Sequence, residues 1–303
     1  RRNEPSITFK RTNFKTRKLK IMIAFDLIKF GARELKQKRI VSSRLDSELL
    51  LSKILNKKRE EILINLEQEI CQKNLSRYKE LINRRSQNEP VAYILKEKEF
   101  WSKSFFVNHN TLIPRPETEL MVEKLIKIYK DKKISILDIG TGSGCILISL
   151  LCELKNSQGV GIDISKKALA IAKKNSEIHK TSNNIKFFNQ SVDSKFNIKF
   201  DLIVSNPPYI RSSEIKNLSE DIKKYEPRIA LDGGNDGLDL IKKIIYKTEY
   251  ILKVKGMLAL EIGNEQFKKV SEILIKKNFR IEHIIKDYKT NVRCIISRYL
   301  KNN

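Results

Sequence analysis

The sequence predicts an α/β protein: a doubly wound, mostly parallel sheet, preceded by a small N-terminal helical bundle and a linking β-hairpin. Three observations predict it. From about Ile21 to Asn88 apolar residues recur at helical spacing; between Pro90 and Thr111 aromatics crowd together at strand-like density; and after Lys133 short apolar runs alternate with amphipathic stretches. Strand–helix alternation of the last kind marks a sheet wound on both faces.

Taken in order, residues 1–20 hold eight basic side chains against one acid, Glu4, without sustained apolar periodicity. This composition reads as a disordered extension, or as an organellar transit sequence, typically Arg-rich and acid-poor. Residues 21–89 repeat apolar positions such as Ile23, Leu27, Phe30, then Leu45, Leu49, Leu50, then Leu75, Tyr78, Ile82. Several short helices with basic outer faces fit, forming a unit that binds a partner or covers one end of a catalytic domain. Residues 90–111, with Phe100, Trp101, Phe105 and Phe106, suit the hairpin. Residues 112–303 then carry the α/β domain, whose first helix is announced by Pro116, Glu117 and Glu119. Strands are expected at 134–139, 160–163, 185–188, 200–204, 258–262 and 292–297.

Composition bounds the function. At 303 residues and 40% hydrophobic content the chain is long enough for one large domain with an appendage, or for two domains each with its own core. A formal charge of +25 attracts polyanions without proving a nucleic-acid substrate. Cys71, Cys145, Cys152 and Cys294 show no metal-binding spacing, and three histidines stand far apart, so neither a metal site nor a disulfide framework is expected. No apolar run reaches the ~18 residues that span a bilayer. The expected location is cytoplasmic, or organellar if the basic arm is a transit sequence.

The chemistry gathers at the carboxyl ends of the expected strands, where open α/β sheets bind ligands. Gly140-Thr141-Gly142-Ser143-Gly144 is a tight turn before a helix; its glycines let backbone approach a ligand, and the helix presents free N–H groups. Asp163 ends the next strand, where a carboxylate can accept both hydroxyls of a ribose. The third glycine comes one position too early for the dinucleotide fingerprint, and Asp138 stands two residues before the first. That form resembles the S-adenosylmethionine loop of class I methyltransferases, with a plain dinucleotide-binding dehydrogenase as the competing reading of the loop alone. Asn206-Pro207-Pro208-Tyr209 then ends a strand with an amide, two prolines lacking backbone donors, and an aromatic ring. Beside a methyl donor, the Asn206 oxygen and the Pro207 carbonyl can accept the two hydrogens of a planar NH₂ group while Tyr209 packs on its face.

Five blocks in order, Leu112 to Glu119, Leu137 to Gly144, Val204 to Ile210, Tyr225 to Leu238 and Leu260 to Gly263, resemble the release factor glutamine methyltransferase family (PrmC or HemK). The resemblance runs from about Met22 to Ser297. It implies a Rossmann-like class I methyltransferase that uses S-adenosylmethionine to methylate N5 of the glutamine in the Gly-Gly-Gln motif of class 1 peptide chain release factors. It implies too that the helical domain grips the release factor, with neither a membrane nor nucleic acid as substrate. Carried over residue by residue, Gly140 to Gly144 and Asp163 hold the cofactor, and Asn206 to Tyr209 hold the glutamine. Arg115 and Glu117 lie in a block near the pocket. Glu226, Arg228 and Asp232 either brace the Asn-Pro-Pro-Tyr loop or touch substrate. The chain departs from the family in having Gln190-Ser191-Val192-Asp193-Ser194 where a Trp usually stands beside the adenine, leaving Val192 or Phe188 for that contact. The alternative function is an adenine-N6 methyltransferase of DNA or RNA, since Asn-Pro-Pro-Tyr names the atom type rather than the substrate. A non-enzymatic RNA- or ribosome-associated module is the third reading.

Overall fold

The structure, a computed structural model, describes residues 22–300; the basic arm at 1–20 lies outside them. Among the described residues the chain divides into two compact units, with the boundary after Asn83.

The first unit pairs β1 (Met22–Ile23) antiparallel with β2 (Glu69–Ile70) and contains α1 (Ala24–Gln37), α2 (Ser43–Leu55), α3 (Arg59–Ile64) and most of α4 (Gln72–Ser86). Helical spacing places Leu27, Leu35, Leu50, Leu51, Ile62 and Tyr78 in its core. A buried Tyr must satisfy its hydroxyl, and Tyr78 donates to the Leu27 carbonyl at 3.0 Å while lying 2.6 Å from Ser47 Oγ. Gly31 allows this approach, since a Cβ there would stand 2.1 Å from the Tyr78 hydroxyl. Phe25, Val41, Leu45 and Ile64 are exposed.

In the second unit the aromatic segment splits. Pro90 caps α5 (Val91–Leu95), and the hairpin itself is β3 (Lys98–Phe100) with β4 (Lys103–Phe105). Trp101 and Ser102 form its two-residue turn with φ of 53° and 51°, the left-handed pair that matches strand twist. Next come α6 (Pro116–Tyr129), started by its proline, then β5 (Ser135–Ile139), α7 (Cys145–Glu153), β6 (Gln158–Asp163), α8 (Lys166–Ile178), β7 (Ile185–Asn189) and β8 (Phe200–Ser205). The chain ends with α9 (Glu220–Tyr225), α10 (Asp239–Ile251), β9 (Leu252–Glu261), α11 (Phe267–Lys276), β10 (Phe279–Lys286) and β11 (Val292–Tyr299).

Seven strands form one sheet in the order β10-β11-β9-β8-β5-β6-β7, parallel from β7 through β9 and antiparallel at β11 and β10. Strand alternation feeds two cores. Ile136, Leu202, Val204, Ala259 and Ile296 face α6 and α7; Leu137, Ile139, Ile203, Leu258, Leu260 and Ile295 face α10 and α11. Burial on both faces explains why these strands read as continuous apolar runs. The sequence reading missed β10 because register shifts at Ile281/His283 and Ile285/Lys286 break its alternation. Strand order reverses between β5 and β8, and ligands bind at such a switch point.

Candidate active site

At that switch point the ends of β5, β6 and β8 open onto a cleft of about 280 Å³. Its lining includes Gly140, Thr141, Gly142, Ser143, Asp163, Val192, Asn206 and Pro208. A smaller cavity adjoins it, lined by Pro207 and Tyr209, and shares Leu112, Arg115, Asn206 and Ala230 with it. The sequence-named residues therefore fall on two neighbouring hollows, with Asn206 in the wall of both. Gly144 stands behind the loop, packed on Ile148 and Ala172. Phe188 is not among the lining residues, and Trp101 bonds Glu153 from the hairpin.

The glycine loop is shaped by three left-handed residues, Gly140, Gly142 and Gly144, at φ of 72°, 56° and 80°. Side chains lacking glycine's freedom resist this conformation. Thr141 Oγ1 donates to Asp138 at 2.7 Å, tying the loop to β5. Burial, with a smaller push from Asp163 and against the Thr141 hydrogen bond, raises the Asp138 carboxyl to about 7. Asp163 accepts from Gly142 N at 3.0 Å on one oxygen and from Ser165 N at 2.8 Å on the other. Burial raises its pKa, and these backbone bonds oppose the rise.

Asn175, buried on α8, makes a bond pattern absent from the sequence reading. Its Oδ1 accepts from Phe106 N at 2.8 Å, and its Nδ2 donates to the Phe106 carbonyl at 3.0 Å and the Ser143 carbonyl at 2.8 Å. One side chain thus ties the glycine loop to the segment that leads into the cleft-lining stretch Asn110 to Leu112.

Asn206 follows β8, and Ser205 pairs with Leu260 in β9, so Asn206 and Glu261 are neighbours at the sheet edge. Ser205 Oγ donates to the Ile139 carbonyl at 2.6 Å, fixing the strand end. Asn206 Nδ2 donates to Thr118 Oγ1 at 3.4 Å, and Thr118 donates to Glu261 Oε2 at 2.6 Å. Tyr209 Oη donates to the other Glu261 oxygen at 3.4 Å. Burial pushes the Glu261 carboxyl up to about 7 and raises the Tyr209 hydroxyl. Among the described residues, neither Asn206 Oδ1 nor the Pro207 carbonyl accepts a hydrogen bond. The block around Glu226 braces the site: Glu226 takes Arg115 Nη2 at 2.6 Å and Ile113 N at 3.1 Å. Asp232 takes Ser212 Oγ at 2.6 Å and Gly234 N at 3.1 Å. Arg228 is largely exposed and pairs with Asp232.

The residues present fit S-adenosylmethionine. A Cβ built on Gly140 meets nothing within 4 Å, so there is room beside a residue that lines the cleft. Each Asp163 oxygen uses one acceptor site on a backbone N–H, which leaves capacity for hydroxyl donors.

Comparisons with known proteins bear on the family and the fold. Residues 26–95 match the PrmC N-terminal domain, and residues 116–291 match the methyltransferase small domain. The release factor glutamine methyltransferase of Buchnera aphidicola subsp. Schizaphis graminum is 43% identical over 250 residues, covering 82% of this chain and 90% of that protein. The bifunctional methyltransferase of Rickettsia typhi is 37% identical over 271 residues, which are 83% of this chain and 52% of that protein. The chain thus spans about half the length of that longer relative. A methyltransferase structure from Pyrococcus furiosus matches with a TM-score of 0.51 at 18% identity, over 72% of this chain and 99% of that one; it shows the shared fold. On the identity and coverage of its relatives, this chain belongs to the release factor glutamine methyltransferase family.

Proposed function

We propose that the chain transfers the methyl group of S-adenosylmethionine to the side-chain amide nitrogen, N5, of the glutamine in the Gly-Gly-Gln motif of class 1 peptide chain release factors. The observation that carries this reading is the pair of adjoining cavities that meet at Asn206, one walled by the glycine loop and Asp163, the other by Pro207 and Tyr209.

When bound, the cofactor would supply an electrophilic methyl group on a positively charged sulfur, the sulfur leaving as a neutral thioether while the acceptor nitrogen gives up one of its two hydrogens as a proton. Gly140 to Ser143 would line its path, Asp163 would accept its ribose hydroxyls, and Val192 would flank its adenine. On the other side, Asn206 Oδ1 and the Pro207 carbonyl accept the two hydrogens of the glutamine NH₂. This turns the nitrogen lone pair out of conjugation and toward the cofactor side of the cleft. Tyr209 packs against the planar amide. Catalysis is then chiefly alignment and preorganised electrostatics. Cys145 lines the same cleft, and burial lifts its thiol to about 12; it stays protonated and does not compete as a nucleophile. The helical unit, with its exposed Phe25, Val41, Leu45 and Ile64, is assigned to gripping the release factor, in the cytoplasm where translation terminates.

The test is incubation with methyl-labelled cofactor and a class 1 release factor, followed by mass spectrometry of the Gly-Gly-Gln peptide. One methyl on the glutamine amide is the expected result. Label that survives a Gln→Ala change in that motif refutes the reading.

A further inference from the structure

Thr118, in the wall of the larger cleft, and Glu261 have no role assigned in holding the cofactor or the acceptor, yet their side chains meet directly behind Asn206. Both are almost wholly buried, each 2% exposed. Glu261 is brought there by register. Leu260 and Ala259 alternate between the two cores, so Glu261 continues the Ala259 face, beneath α6. Thr118 lies in the first turn of that helix, where Pro116 starts it and the N-terminal dipole favours a carboxylate.

We infer that Glu261 and Thr118 are positioning residues that set which end of the Asn206 carboxamide faces the acceptor. Above the pKa of about 7 to which burial raises it, the Glu261 carboxylate is ionised and can only accept hydrogen bonds. Glu261 therefore obliges Thr118 to donate to it, and the Thr118 oxygen is left to accept from Asn206 Nδ2. The amide nitrogen is drawn inward and Oδ1 is turned out as the free acceptor. With a neutral, ambivalent partner in place of Glu261, Thr118 could equally donate to Asn206 Oδ1. The carboxamide would then present its NH₂ to an incoming NH₂, donor against donor. Tyr209 donates to the second oxygen of the same carboxylate, so one buried charge aligns two of the residues assigned to the acceptor. This inference rests on the proposed function for what the acceptor is, but not for how Asn206 is oriented.

The experiment therefore has two arms. In the first, the full chain is labelled with ¹⁵N, S-adenosylmethionine is added, and the Asn206 side-chain NH₂ resonances are identified by their loss in Asn206→Ala. The expected result is that Thr118→Val and Glu261→Gln both shift these resonances while Thr118→Ser restores them. In the second, single-turnover methylation of a release factor is measured in Thr118→Val. The rate is expected to fall roughly a hundredfold, the scale set by misplacing a reacting group by about 1 Å. KM for the release factor stays unchanged while the melting temperature falls, because Val leaves a buried Glu261 oxygen without its donor, and the same substitution costs nothing further in turnover in an Asn206→Ala background. Asn206 resonances indifferent to Thr118→Val, or an equal rate loss in both backgrounds, overturn the inference. A wild-type chain that leaves release factors unlabelled refutes the functional reading, and the resonance arm still decides the network.

Discussion

The glycine loop offers a pair of substitutions that separate its structural work from its ligand work. At Gly144, φ is 80° and a Cβ would stand 2.9 Å from Ile148 Cδ1 and 3.3 Å from Ala172 Cβ. Placing Ala in the left-handed region costs about 1–2 kcal/mol, and overpacking of a filled site adds about 1–3 kcal/mol. The Ile148 contact is the end of a flexible side chain and yields easily, but the Ala172 contact is short and stiff. Gly144→Ala is thus expected to destabilise by about 3 kcal/mol, or to lower the melting temperature by roughly 10 °C for a unit of this size. At Gly140, φ is 72° but a Cβ meets nothing within 4 Å. Gly140→Ala carries only the conformational cost, about 1–2 kcal/mol, while its methyl occupies the room that the cofactor needs. Thermal unfolding without cofactor, paired with calorimetric titration of S-adenosylmethionine, reads both effects. The expected pattern is a large stability loss for Gly144→Ala, and for Gly140→Ala a small stability loss with strongly weakened binding. A Gly144→Ala protein as stable as wild type, or a Gly140→Ala protein with unaltered cofactor affinity, refutes the assignment of the two positions.

Three further outcomes are expected. Asp163→Ala weakens cofactor binding roughly tenfold to a hundredfold, the worth of a hydrogen-bonded charge, whereas Asn206→Ala leaves that affinity largely intact and abolishes most turnover; equal turnover in Asn206→Ala and wild type would rule out the alignment argument. Asn175→Ala strips partners from the Phe106 N–H and from the Phe106 and Ser143 carbonyls, so it costs about 3 kcal/mol and loosens cofactor binding; denaturant titration alongside calorimetry checks both. The third concerns pH. Asp138 and Glu261 have folded-state pKa values raised to about 7, burial being the leading cause in both. Around them, Asp163 and Glu117 push in the same direction while Thr141, Thr118, Tyr209 and Arg293 oppose it. The folded state then binds more protons than the unfolded one between about pH 4 and 7, so these two groups make stability fall as pH rises through that window and level off above it. Urea midpoints across pH 5–8 should slope less in Glu261→Gln than in wild type; identical slopes would remove Glu261 from the account.

The sequence alone carried the architecture of the second unit, because a sheet covered on both faces must draw its strands from continuous apolar runs such as Ile136–Ile139 and Leu202–Val204. It carried the residues of the loop as well, since Gly140, Gly142 and Gly144 are chosen for a backbone that other residues resist. Where the pattern was broken by bulges, as in β10, the strand was invisible. The short helix α5 was likewise hidden among aromatics that suggested only a hairpin. Tertiary structure alone decided the contacts that span the chain. Asn175 reaches Phe106 across 69 positions, Thr118 reaches Glu261 across 143, and Glu226 holds Ile113 across 113. Linear spacing encodes neighbours on a helix face or strand, whereas these pairs exist only because sheet register and helix packing bring distant strand ends to one edge. The same physics separates the two halves of the site: the amide, prolines and ring at Asn206 to Tyr209 are written in the sequence, but which way that amide faces is set by a carboxylate that only the folded sheet places behind it.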